Sequence, residues 1–143
     1  MKYFLYLLFS ILTLQACRRD NTDNALAKDN KDVANAIVRS FNARNWDSVA
    51  FYYTDTCVFL SPAQGNEYTH KSKATIIEEC KATLAASPDV QRKIEGVYTD
   101  RNKLIIEYTE SGTSATGKWS KPYCTVLTLK NRRVIRSATY IAQ

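Results

Sequence analysis

At 143 residues, with 45% apolar side chains, the chain is long enough for one domain with a real hydrophobic core and too short for several. Its formal charge of +6 is spread over scattered sites such as Arg92-Lys93, Lys118, Lys121, Lys130, Arg132-Arg133 and Arg136. No run reaches the roughly five or six like charges of a nucleic-acid arm, so nucleic acid is excluded as the expected partner. Cys17, Cys57, Cys80 and Cys124 form no C-x-x-C pair, which excludes the common zinc and dithiol patterns. Neither a metal nor a cofactor is expected.

Lys2 supplies a positive start, and Tyr3 to Leu14 is almost wholly apolar. A stretch of about 12 residues suits the apolar region of a secretory signal. As a helix it covers about 18 Å, short of the ~30 Å hydrocarbon core, so it is not read as a stable membrane span. Leu14-Gln15-Ala16-Cys17 resembles the lipobox of bacterial lipoproteins. That resemblance implies cleavage of residues 1–16 and lipid on the Cys17 sulfur, hence a membrane partner and a place in the bacterial cell envelope. Arg18 stands where an Asp would resemble an inner-membrane retention signal, which directs the expectation to the outer membrane. Residues 17–30, rich in Asp, Asn and Lys, read as a lipid-anchored flexible tether, with the folded domain at 31–143. With Cys17 modified, a Cys57–Cys80 bridge and three unpaired thiols both stay open.

From Lys31 the apolar spacing is helical: Val33, Ile37 and Phe41 share a face with Ala34 and Val38, and Asp29 or Asn30 suits the cap. Asn45-Trp46-Asp47 breaks this helix before a short helical piece at 48–53. A strand at 57–60 ends at Ser61-Pro62, and a loop at 63–70 carries His70. A helix is expected over 72–86, with Ile76, Ile77, Cys80 and Leu84 as its stripe and Thr75 and Glu78 at capping-box spacing. Strands follow at 90–99, 104–110, 123–129 and 134–141, with tight turns at 100–102 and 130–132 and a longer connection at 111–122. Helices first and a strand meander afterwards predict an α+β domain, helices packed on one face of a curved antiparallel sheet.

Several strings, in this order, resemble the nuclear transport factor 2-like superfamily, in its SnoaL-like branch. They are Phe41-Asn42-Ala43-Arg44-Asn45-Trp46-Asp47-Ser48-Val49-Ala50, Tyr53-Thr54-Asp55-Thr56-Cys57-Val58-Phe59, Gly112-Thr113 with Gly117 and Pro122, and Asn131-Arg132-Arg133-Val134 through Tyr140. The resemblance implies a cone: a bent sheet around helices, with a pocket at one end and homodimers formed through the outer sheet face. It also implies enzymes whose acid, or His–Asp pair, points into the cone from the late strands. Here the position two residues after the final-strand tyrosine is Ala142, and the position before that tyrosine is Thr139. Neither is a general base at neutral pH. One fold hosts many activities, so the site has to decide the function.

The remaining catalytic candidates are Glu107 and His70. Along 104–110 the side chains alternate, with Leu104, Ile106 and Tyr108 on one face and Ile105, Glu107 and Thr109 on the other. The greater apolarity of the first face turns it inward, which makes Glu107 an exposed acid. His70, without a second ligand or paired acid, reads as a loop histidine. Tyr53, Tyr108, Trp119, Tyr123 and Thr139 are the candidate ligand-pocket residues, Trp119 as a lid or partner anchor in its connection. The favoured reading is a non-catalytic module that binds a small apolar molecule or serves as a dimeric scaffold. The alternatives are an isomerase or hydrolase working through Glu107, Tyr108 and His70, and an envelope interaction module working through Trp119.

Overall fold

The computed structural model describes residues 24–61, 65 and 67–141. Helix α1 occupies residues 24–42, and its expected face is its buried one: Val33, Ala34, Ile37, Val38 and Phe41. Residues 24–30, expected as tether, are helical instead. Their sequence carries no apolar stripe, and their anchorage is tertiary. Asn30, expected as a cap, is 2% exposed and donates from Nδ2 to the Arg101 carbonyl at 2.7 Å. The Asp29 carboxylate meets Arg132 Nη1 at 2.9 Å. The apolar start of the chain and Cys17 lie outside the described residues.

Arg44, at φ 60, turns the chain out of α1 and donates to the carbonyls of Pro88 (3.2 Å) and Val90 (2.6 Å). Helix α2, Trp46–Phe51, begins at Asn45, whose side chain accepts from the Ser48 N–H. Strands β1 (Tyr53–Leu60) and β2 (Thr69–Ser72) precede helix α3 (Lys73–Ala86). The α3 cap is Ser72, accepting from Thr75 N, three residues before the Thr75 cap expected. Strands β3 (Gln91–Asp100), β4 (Lys103–Ser114), β5 (Gly117–Lys130) and β6 (Arg133–Ile141) complete the fold.

The six strands form one sheet in the order β2-β1-β6-β5-β4-β3. The expected all-antiparallel sheet is corrected in one place, because β1 and β6 run parallel. The β4–β5 hairpin also corrects the expected connection at 111–122. Both strands run on to a tight turn at 115–116, with Gly112 opposite Trp119 and Thr109 opposite Pro122. Pro122 lies one residue past the last β5–β6 pair, Tyr123 with Ile141, so its missing N–H costs no ladder bond to β6. Register shifts that leave extra residues in β1, β3 and β6 bend the sheet around α1 and α3.

The core lies between the concave face and the helices and includes Phe41, Leu104, Leu127, Leu129 and Val134. It is dense toward the β3–β4 and β5–β6 turns. These two turns lie side by side, Leu129 N donating to the Asn102 carbonyl at 2.8 Å. At the opposite ends of the strands the space between α3 and the sheet opens.

Candidate functional site

Inward positions of β4 succeed one another as Leu104, Ile106, Tyr108 and Glu110. Leu104 is closed into the core, whereas Ile106, Tyr108 and Glu110 line a cavity of about 530 Å³. Ile37 from α1, Ile76 from α3 and Leu127 from β5 give it an apolar floor. A volume of this size suits a small organic molecule.

Arg92 is the most constrained polar group in the cavity wall. Its backbone is clamped by the Asn42 amide, which donates to the Arg92 carbonyl (2.8 Å) and accepts from its N–H (2.9 Å). The guanidinium carbon lies 3.6 Å from the centre of the Phe41 ring, a cation–π contact on the end of α1. Its Nε donates to Glu110 Oε2 at 2.7 Å, and the Glu110 side chain is 9% exposed. Burial opposes the charge on Arg92, but Tyr108, Glu110 and Cys80 together outweigh it and the net displacement is upward. Arg92 therefore stays protonated in the cavity wall.

A second pair stands nearer the mouth. Lys71, on β2, is 5% exposed and places Nζ 2.6 Å and 2.8 Å from the two carboxylate oxygens of Glu79 on α3. Its ammonium also lies 4.9 Å from the centre of the Phe59 ring. The remaining polar groups are hydroxyls. Thr125 and Thr139 are hydrogen-bonded to each other at 2.9 Å across β5 and β6. Tyr108 and Tyr123 stack at 5.4 Å. Tyr53, buried and stacked on Phe59, has its pKa raised by burial first and by Cys80 second. Burial likewise raises Tyr108 and Tyr123, so all three phenols are neutral donors at physiological pH.

Four of the expected pocket residues, Tyr53, Tyr108, Tyr123 and Thr139, come together in this wall. Trp119 does not join them. It sits in β5 opposite Gly112 and packs against the core, because the connection that was to carry it is a strand pair. Glu107 is on the outer sheet face, exposed, opposite Cys124 and within 3.3 Å of the Tyr98 hydroxyl. His70 is exposed on β2 opposite Val58 and does not line the cavity. Glu107 is thus the exposed acid that the β4 alternation predicts, His70 is on a strand where a loop was expected, and neither reaches the cavity as the catalytic alternative requires. Cys57, Cys80 and Cys124 are free. Burial pushes the Cys57 thiol up to about 12 and also raises Cys80, which lines the cavity near Arg92. Among the described residues no group of three or more His, Cys, Asp and Glu is placed to hold a metal.

Sequence reasoning missed Arg92, Glu110, Lys71 and Glu79. Glu110 had a signal, since the alternation that turns Tyr108 inward reaches it two residues later. Arg92 had none, because its partner is 18 residues away and reached only by strand pairing.

The profile of the SnoaL-like domain family matches residues 34–137. No curated protein matches the chain in sequence. Solved structures share the architecture at low identity. Bal32a, from a soil-derived mobile gene cassette, superposes with a TM-score of 0.73 at 12% identity, covering 82% of this chain and 92% of its own. An LEH-like epoxide hydrolase from M. tuberculosis gives 0.68 at 13% identity, covering 81% and 84%. A protein of ketosteroid isomerase-like fold from Catenulispora acidiphila, solved with trimethylamine, gives 0.67 at 14% identity, covering 76% and 83%.

Proposed function

We propose, from the premise that this chain belongs to the SnoaL-like domain family, that it is a lipid-anchored envelope module that binds a small, largely apolar molecule without transforming it. One observation carries this reading. Both carboxylates of the cavity are already held by cations, Glu110 by Arg92 and Glu79 by Lys71. A general base must accept a proton from substrate, and a carboxylate fixed on a guanidinium is a weak one. The closing strands add only hydroxyls, from Ser137, Thr139 and Thr125. Such a wall suits a ligand with an apolar body and one polar head, the head lying against Arg92 and the tyrosines.

The anchoring part of the reading is supported by the Leu14-Gln15-Ala16-Cys17 string and by Arg18 after it, which point to the outer membrane. A homodimer is part of the same proposal. Tyr98 and Tyr140 are about half exposed on the outer sheet face, and Ile105 and Val126 lie between them.

A thermal-shift screen of fatty acids, sterols and aromatic acids tests the binding reading. The expected result is a hit whose stabilisation is lost in Tyr108→Ala and Arg92→Ala and kept in Glu107→Gln. Turnover of an epoxide or ketone that disappears in Glu110→Gln would replace it with the hydrolase or isomerase reading. Sedimentation of the wild type and of Tyr98→Glu/Tyr140→Glu tests the dimer, the double variant being expected to sediment as a monomer.

A further inference from the structure

The end of the molecule opposite the cavity carries an unusual concentration of positive charge. The β3–β4 turn presents Arg101 and Lys103, the β5–β6 turn presents Lys130, Arg132 and Arg133, and α1 adds Lys28 and Lys31 beside them. The Asn30 bond to the Arg101 carbonyl and the Asp29–Arg132 pair fix α1 against both turns, so these charges gather at one end of the molecule, with Lys103 on its outer-sheet side donating to Thr128 Oγ1 at 2.8 Å. Seven cations stand there against the acids Asp29, Asp32, Asp100 and, near Arg133, Asp55; three of these acids are already engaged, with Arg132, Lys28 and Lys73.

Two further features single out this end. Arg101 and Arg132 occupy left-handed backbone, at φ 49 and φ 61. Hairpin tips of this kind favour Gly, Asn or Asp, and a left-handed backbone is strained for any other residue. Backbone preference therefore does not explain arginine at either tip, and of the two only Arg132 has an ion-pair partner among the described residues, Asp29. The same end also exposes two large apolar side chains. Phe51 is 58% exposed beneath the Arg133 guanidinium (5.1 Å), and Leu26, one turn before Asn30, is 43% exposed. Cations interleaved with an exposed aromatic and an exposed leucine are the composition of an interfacial membrane contact.

We infer that this end docks on anionic lipid headgroups, seating the domain on its membrane with the cavity mouth turned to the aqueous side. The cavity residues lie at the far ends of the same strands: 106–110 in β4 against Lys103, 123–127 in β5 against Lys130, and 137–141 in β6 against Arg133. The ligand accordingly enters from water and not from the bilayer. The inference rests on the anchoring reading for one element, the short reach from Cys17. Six residues lie between Cys17 and Asn24, so the span across those seven steps is at most about 25 Å.

The test is flotation of the full chain with vesicles of phosphatidylcholine, with and without about one third phosphatidylglycerol. The apolar N-terminus contributes alike to both, and Lys2, Arg18 and Arg19 add the same anionic preference to every variant, so the change in the ratio of the two partition coefficients from wild type to variant isolates the contact made by this end. At about one factor of five per surface cation, a ratio of roughly tenfold or more is expected in low salt. Arg101→Glu/Lys103→Glu/Lys130→Glu should remove most of it, down to what Lys2, Arg18 and Arg19 supply. The same change in net charge at Lys81, Lys93 and Lys118 should leave most of it. Arg101→Gln/Lys103→Gln/Lys130→Gln provides a milder version if the reversals unfold the chain. Equal losses in the two reversal sets, or no anionic preference in the wild type, overturns the inference. Mass spectrometry of Cys17 reads the anchor separately: an unmodified Cys17 beside an intact anionic ratio sinks the anchor and supports the docking face.

Discussion

The two ends of the sheet are made from the same strands and do opposite things. Toward the β3–β4 and β5–β6 turns, inward positions hold Leu104, Leu129 and Val134, all buried in one core cluster with Val33 of α1. Toward the other end the same faces hold Tyr108, Glu110, Tyr123, Thr125 and Thr139, and the packing opens into a cavity. β4 makes the change within six residues, from fully buried Leu104 to Glu110 on its guanidinium. Alternation decides which side chains face the helices, and their chemistry decides whether they close the interior or leave a site. The closed core and the open cavity thereby fall in different halves of one sheet.

The largest expected effect tests the closed half. Leu104→Ala should cost about 3 kcal/mol, from lost apolar burial and the cavity left behind. It should lower the denaturant midpoint without changing its slope. Ile141, at the cavity mouth and 40% exposed, should lose no more than about 0.5 kcal/mol when cut to Ala. Equal costs at the two positions would break the contrast.

Next comes the charged pair. Removing one partner of an enclosed ion pair costs about 3–5 kcal/mol, and water entering the cavity should reduce Glu110→Ala to about 2 kcal/mol. Adding Arg92→Met, which removes the stranded cation, should recover at least half of that loss in a double-mutant cycle. A purely additive cycle would mean that the 2.7 Å contact contributes nothing.

The closed half was far more legible than the open one. Val33, Ile37 and Phe41 announce α1 by spacing, and Leu104, Ile106 and Tyr108 announce the inward face of β4 by alternation. Both signals are local. The cavity's ionic groups join distant segments: Asn42 to Arg92, Arg92 to Glu110, and Lys71 to Glu79 across a four-residue strand too short to show a pattern. The parallel β1–β6 pairing is equally silent, because no turn joins the two strands. Residues 24–30 illustrate the converse, a polar segment helical through contacts that its own sequence does not encode.

The third prediction concerns how the open half is held in place. A Cβ on Gly112 would collide with Ser87 Oγ and crowd the Val90 Cα at 3.2 Å. Gly112→Ala should therefore push the 87–90 segment outward and destabilise by about 1–2 kcal/mol. The displacement should reach Arg92, two residues on, so weaker ligand binding should accompany the lower stability. Unchanged binding at reduced stability would show that the clamp by Asn42 positions Arg92 without help from this loop.

The smallest effect is at Asp89, in the same loop. Its carboxylate accepts from the Thr113 hydroxyl and N–H, both at 2.7 Å, and from Ser87 Oγ at 3.3 Å. The Thr113 hydroxyl contributes most to holding its pKa below the ordinary carboxylate value. A pKa lowered by folding means that the unfolded chain binds the proton more readily. The contribution is fully present above the unfolded pKa, near 4, and is lost as pH falls through the lower folded value. Asp89→Asn should thus be less stable than wild type by a constant margin from pH 5 to 8, and the margin should close toward pH 2. Urea midpoints at pH 3 and pH 7 decide it. A gap that is the same at both would mean that the Thr113 contacts are made equally well by the neutral acid, so the loop would owe its position to Ser87 and Arg44 and not to this charge.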